Sequence, residues 1–190
     1  YSIRQNKLKQ CKRIPKLGKQ IWFNIENPTL EELEELSRKT NISLYDLRHA
    51  IDDQEHPRIT ELKNFTLIVF RVPFIKQEGS LTTSVAFLMN KDMLISMHEK
   101  PYTKLRSFAN DLETHQQSVR DVGQLFNNLL TEIMKQYFAI AEVMENHLDE
   151  VEEMIFSNPS EQDVVQEIFN VKKALIYLYK ALTANRAVIM

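Results

Sequence analysis

Apolar residues recur every three or four positions over the last part of the chain. They stand at Leu125, Leu129, Ile133, Tyr137, Ile140, Met144, Leu148, Val151 and Ile155, the spacing of one face of an α-helix. A helix of that extent, starting near Asp121, runs on the order of 50 Å at 1.5 Å per residue, longer than a compact domain needs. The segment "FSNPSEQD" (156–163) breaks it: Asn158 and Pro159 turn the chain, and Ser160 with Asp163 cap a new helix. Val164, Ile168, Val171, Leu175, Leu178 and Leu182 then repeat the spacing, with no glycine or proline before Met190 to stop it. The pattern predicts an antiparallel helical hairpin with coiled-coil-like periodicity.

Before residue 115 the pattern is mixed. "QIWFNI" (20–25) reads as a strand. In "NPTLEELEELSRKT", Asn27 is a capping residue, Pro28 suits a first turn, and Thr29 with Glu32 forms a capping box. Leu30, Leu33 and Leu36 make the buried stripe of this helix. A short helix follows in "SLYDLRHAI", capped by Ser43, with Leu44, Leu47 and Ile51 on one face. "FTLIVFRVP" (65–73), "LTTSVAFLM" (81–89) and "DMLISMH" (92–98) are strand candidates joined as two successive hairpins. Pro101 then opens a polar helix to about residue 114. The residues thus predict an α/β domain over 1–115 and a long helical hairpin over 116–190.

Composition sharpens this picture. The 190 residues include only three glycines and six prolines, which disfavours turn-rich sandwiches and barrels. The net charge of -2 argues against whole-domain nucleic-acid binding. Residues 1–19 carry a local basic excess (Arg4, Lys7, Lys9, Lys12, Arg13, Lys16, Lys19), which reads either as a nucleic-acid or lipid-facing arm or, since no aromatic platforms accompany the charges, as a soluble edge strand and loop. Cys11 is the single cysteine, so no disulfide framework forms and a reducing compartment fits. The run "FTLIVFRVPFI" (65–75) is shorter than the ~20 residues of a membrane span, and Arg71 interrupts it. A start at Tyr1 and a helix open at Met190 read as the ends of a fragment.

Chemistry-bearing residues are few. No Gly-rich phosphate loop, H-E-x-x-H or G-x-S-x-G occurs, and the five histidines never stand at mutual metal-ligand spacing. The chain is therefore not read as an enzyme. "IDDQEHPRI" (51–59) gathers Asp52, Asp53, Glu55 and His56, which read first as a solvated turn, then as cation ligands completed from elsewhere, and least well as a carboxylate pair, since adjacent aspartates point in different directions. "ENHLDEVEEM" (145–154) places Glu145, Asp149, Glu150, Glu152 and Glu153 on the long helix. They form either a solvated face or a field that gathers hard cations such as Mg²⁺.

The order and spacing of "WFNIENPTLEELEEL", "LRHAIDDQEHPRI", "FTLIVFRVP" and "HLDEVEEMIFSNPS…VKKALIYLYKALTANRAV" resemble the cytoplasmic domain of the CorA-type divalent-cation transporters, from about Trp22 to Met190. The resemblance implies an α/β/α fold, a mixed β-sheet sandwiched by helices. It further implies that residues 121–155 belong to an acidic helical hairpin and that the helix from Ser160 starts a stalk. It implies a homopentamer at the cell membrane, anchored by C-terminal helices and a Gly-Met-Asn loop that this chain lacks, with this part on the cytoplasmic side. Mg²⁺ would be both the transported and the regulatory ion, with Co²⁺ or Ni²⁺ tolerated and no nucleic-acid partner.

One departure bears on the sensing site. Where the family carries Glu-Asp before its "RP" segment, alignment on Pro57 puts Arg48 and His49 here, and the stalk partner of that site would lie beyond Met190. Asp52 and Asp53 are the substitutes one turn on, and His49 leaves room for Zn²⁺. Two alternatives remain beside the Mg²⁺ reading: the zinc-transporting branch of the same superfamily, and a free-standing soluble helical interaction protein.

Overall fold

The computed structural model describes residues 2–4, 7–9, 20–52, 55–74, 82–100, 102–115, 118–157 and 161–190. Cys11, Asp53, Pro101, Asn158, Pro159 and Ser160, which the sequence singled out, lie outside the described residues. Seven strands and five helices follow in chain order: β1 (Ser2–Arg4), β2 (Lys7–Lys9), β3 (Ile21–Glu26), α1 (Leu30–Thr40), α2 (Leu44–Ala50), β4 (Arg58–Glu61), β5 (Thr66–Pro73), β6 (Thr82–Met89), β7 (Met93–His98), α3 (Thr103–Thr114), α4 (Val122–Ser157) and α5 (Glu161–Ile189). The strands form one sheet in the order β2-β1-β3-β7-β6-β5-β4. Among the described residues only the β3–β7 pair is parallel, so the sheet is mixed as expected.

Side-chain alternation explains the layers. Ile68, Phe70 and Val72 of β5, Val85 and Phe87 of β6, Leu94 of β7 and Trp22 of β3 share a core with α3, α4 and α5. Leu67, Val69, Ala86, Leu88, Ile95 and Met97 project to the opposite face, where Leu33, Ile42, Leu47 and Ala50 of the α1–α2 region cover them. Strands buried on both faces need apolar residues at every position, which is why β5 and β6 read as continuous apolar runs. The core on the α3–α5 side continues into the hairpin through Leu125, Leu129, Ile133, Tyr137, Ile140 and Met144.

Several expectations shift in detail. Thr29, not Asn27, caps α1: its hydroxyl accepts from Glu32 N–H at 3.2 Å while the Glu32 carboxylate accepts from Thr29 N–H at 2.8 Å. Asn27 instead takes a left-handed backbone (φ 48), a conformation asparagine tolerates, and donates its N–H to His98 C=O. Leu30 is exposed, because α1 lies with only Leu33 fully down and Leu36 at the rim. Ser43 caps α2 as expected. The short edge strand β4 went unseen, since four residues reading "RITE" carry too little pattern.

The hairpin seam also differs from the predicted stripe. Leu148 and Ile155 of α4 and Ile168, Leu175 and Leu182 of α5 are exposed. The buried positions of α5 are Val171, Leu178, Ala181 and Asn185, with Ala174 and Val188 packed against them. α5 is apolar on more than one side, so periodicity alone picked Val171 and Leu178 correctly but added Ile168, Leu175 and Leu182, which face solvent. Asn185 sits where α5 crosses the sheet. β4 reaches only to Arg58 opposite Val69, and beyond it Asn185 takes the edge of β5, accepting from Arg71 N–H at 2.9 Å and donating to Arg71 C=O at 2.8 Å. Tyr137 of α4 donates its hydroxyl to the same carbonyl at 3.0 Å.

Candidate cation-binding site

The segment from α2 to β4 turns sharply, and backbone hydrogen bonds hold the turn: Asp52 N–H to His49 C=O at 3.2 Å and Glu55 N–H to Asp52 C=O at 3.0 Å. Beside it lies a cleft of ≈ 420 Å³ lined by Leu44, Tyr45, Arg48, His49 and Asp52. The structure therefore brings His49 and Asp52 to one cavity, while Asp53 lies outside the described residues. Tyr45 precedes His49 by four positions, one helical turn, and their rings meet at 4.2 Å between centroids.

Glu55 is the carboxylate that the fold aims inward. Its Oε1 accepts from Arg58 Nε at 3.1 Å, and its Oε2 lies 3.9 Å from His49 Nδ1. Arg58 is held in turn by Thr60 Oγ1 at 2.6 Å. Arg58 already neutralises Glu55, so an entering cation competes with a guanidinium for this carboxylate. Asp52 is exposed and borders open solvent. Among the described residues no group of three or more His, Cys, Asp or Glu side chains stands close enough to hold a metal ion. Two or three ligands from this turn suit a cation that keeps part of its water shell or is completed from another surface. Sequence reasoning missed Arg58 and Tyr45; the Tyr45–His49 spacing was the available signal, whereas the Glu55–Arg58 contact depends on how the turn closes.

A second histidine lies on the hairpin. His147 Nδ1 faces Glu150 Oε2 at 3.3 Å, and its Nε2 faces Glu167 Oε2 of α5 at 3.1 Å. Both nitrogens donate at once only in the imidazolium form, so this grouping works as a polar cross-link between α4 and α5. The carboxylates Glu142, Glu145, Asp149 and Glu152 lie exposed along α4. Among the described residues no helix is long and apolar enough to cross a membrane.

The family model described as "CorA-like Mg2+ transporter protein" matches residues 18–190. The cobalt/magnesium transport protein CorA of Methanocaldococcus jannaschii is 31% identical over 173 residues, covering 90% of this chain and 54% of that protein. The chain thus spans about half the length of this curated relative. The complete structure of the CorA magnesium transporter from the same organism superposes with a TM-score of 0.83 at 28% identity, over 94% of this chain and 57% of the other. The structure of its soluble domain gives a TM-score of 0.82 at 27% identity, over 95% of this chain and 74% of that one. Fold, element order and matched length agree, and the chain belongs to the CorA-like Mg²⁺ transporter family.

Proposed function

We propose that this chain is the cation-responsive cytoplasmic domain of a membrane transporter that carries Mg²⁺, with Co²⁺ as a second substrate. The observation that supports it most directly is its likeness, over nearly its whole length, to the soluble domain of a CorA protein. The α2–β4 turn is the sensing element of this reading, with Asp52, Asp53 and His49 as the ligands it offers. In a homo-oligomeric ring, a pentamer by the family resemblance, bound cations neutralise carboxylates that face one another between copies. Depletion restores their repulsion and loosens the ring, which shifts the equilibrium between closed and open states. The transporter itself resides in the cell membrane, and this part lies on its cytoplasmic side.

A zinc-selective version of the reading has one observation of its own: an imidazole, His49, stands in the cleft with Asp52, and imidazole suits Zn²⁺ better than Mg²⁺. The deciding experiment is a titration of the purified chain with Mg²⁺, Co²⁺ and Zn²⁺, read by thermal unfolding. A rise in melting temperature with Mg²⁺ that Asp52→Ala/Asp53→Ala removes supports the Mg²⁺ site. A rise with Zn²⁺ alone, lost in His49→Ala, transfers the site to zinc. No response to any of the three cations rejects the sensing role.

A further inference from the structure

Two stripes on the outside of the hairpin are unused by the fold and match each other in length and charge. On α4, away from the seam, the positions Phe138, Glu142, Glu145, Asp149, Glu152 and Phe156 follow at steps of four and three, all exposed. The two terminal phenylalanines are 72% and 87% exposed. Four carboxylates thus lie in one row between two bare aromatic rings. On α5 the positions Val165, Phe169, Lys172, Ile176, Tyr179 and Thr183 follow at the same steps, also exposed. Lys173 and Lys180 flank this row, and Phe169, Lys172, Lys173, Ile176, Tyr177 and Lys180 line a groove of ≈ 180 Å³ along it.

Within one chain the two rows cannot meet. The seam of the hairpin uses Tyr137, Ile140, Met144 and Val151 of α4 with Val171, Leu178 and Ala181 of α5, and each row lies on the side of its helix turned from that seam. The stretch from Phe138 to Phe156 and that from Val165 to Thr183 are each about 27 Å long at 1.5 Å per residue. One row is acidic with apolar ends; the other is mostly apolar, carries Lys172, and is bordered by Lys173 and Lys180, which make its groove basic. Equal length, opposite sign and exposed aromatic rings on both sides are the ingredients of a helix-to-helix contact.

We propose that the acidic row of α4 docks into the lysine-flanked groove of α5 on a second copy of this chain. The contact is heterologous, acidic row to basic row, so every copy offers one half on each side and copies join head to tail, as a closed ring requires. Aromatic rings at the ends anchor the register while the charges steer approach and select orientation. This deepens the oligomer described above and rests on that reading. Cation binding at the α2–β4 turn is a separate property, tested by its own titration.

The test is sedimentation of the chain and of two charge-reversed variants. One carries Glu142→Lys/Glu145→Lys/Asp149→Lys, the other Lys172→Glu/Lys173→Glu/Lys180→Glu. All six positions are exposed, and circular dichroism checks that both variants keep the helical content of the parent. The parent is expected to self-associate, with affinity falling roughly tenfold or more between about 0.05 M and 0.5 M salt as charges are screened. Each variant alone is expected to sediment as a monomer, because its two rows now carry the same sign. An equimolar mixture of the two is expected to associate again, since each variant's α4 now opposes the other's α5. A monomeric parent overturns the proposal, and so do variants that associate like the parent. A third overturning result assigns the lysine groove to a lipid surface: binding to phosphatidylserine vesicles that Lys172→Glu/Lys173→Glu/Lys180→Glu abolishes while self-association persists.

Discussion

The carboxamide of Asn185 pairs with both the N–H and the C=O of Arg71, the two residues standing 114 positions apart. The amide takes the role that a neighbouring strand would play, at the point where β4 has ended and β5 would otherwise present a bare edge to the core. Tyr137 joins the pair through Asn185 Nδ2, which donates to its hydroxyl at 3.2 Å. One side chain thereby fixes the position of α5 on the sheet and of α4 beside it.

Asn185→Leu removes the acceptor of the part-buried Arg71 N–H, while the Arg71 C=O keeps the Tyr137 hydroxyl. A polar group that loses its partner in this way costs about 1–3 kcal/mol. A loss of roughly 1–3 kcal/mol in urea unfolding is expected, with Tyr137→Phe costing about 1 kcal/mol. The double variant is expected to lose more than the sum of the two, because each single variant leaves the Arg71 carbonyl one of these two donors and the double variant removes both. A loss for Asn185→Leu no larger than that of an ordinary surface change would show that the pairing does not matter to stability.

His98 is buried in β7, and burial holds its imidazole pKa below the ordinary histidine range, against the raising effect of its bond to Lys100 C=O. A base whose folded pKa is depressed binds fewer protons folded than unfolded. Stability is therefore undiminished above about pH 6.5 and falls as pH drops from there towards the lower folded value. Melting temperatures from pH 7.5 to 5.5 are expected to decline with a slope that His98→Gln reduces. An identical slope in that variant would assign the decline to other groups.

Removing the α1 cap tests a local contribution. Thr29→Ala deletes the hydroxyl that accepts from Glu32 N–H, a change worth about 1 kcal/mol, or about 2–4 °C in the melting temperature of a domain this size. Thr29→Ser keeps the acceptor and is expected to melt within a degree or so of the parent.

At the candidate site, His49→Ala and Asp52→Ala separate two cations. Loss of the imidazole is expected to weaken Zn²⁺-dependent stabilisation by roughly tenfold in concentration and to leave the Mg²⁺ response unchanged, since hard Mg²⁺ prefers oxygen. Asp52→Ala is expected to reduce both. Equal effects of the two substitutions on both metals would remove His49 as a selective ligand.

Most of the local structure is legible in the residues themselves. The capping box at Thr29 and Glu32 and the cap at Ser43 rest on contacts within a few residues, and the three central strands on their own apolar runs, so local rules read them directly. The resemblance to CorA-type domains supplied the layered α/β/α arrangement that these pieces adopt. At the candidate site the sequence singled out Asp52, Asp53 and His49, which belong to one short, charge-dense segment, and the structure places His49 and Asp52 in one cleft.

Only the tertiary structure decided which faces are buried. α5 is apolar at Leu175 and Leu182 as well as at Val171 and Leu178, and periodicity cannot rank one side above another. The sheet and α4 chose the side that carries Asn185, a polar residue no hydrophobic pattern would nominate, because Arg71 offered it a complete pair of backbone partners. The same is true of Glu55, whose partners His49 and Arg58 are set by the closure of a turn. Burial and pairing are properties of what a residue meets, and a one-dimensional pattern records only what it is.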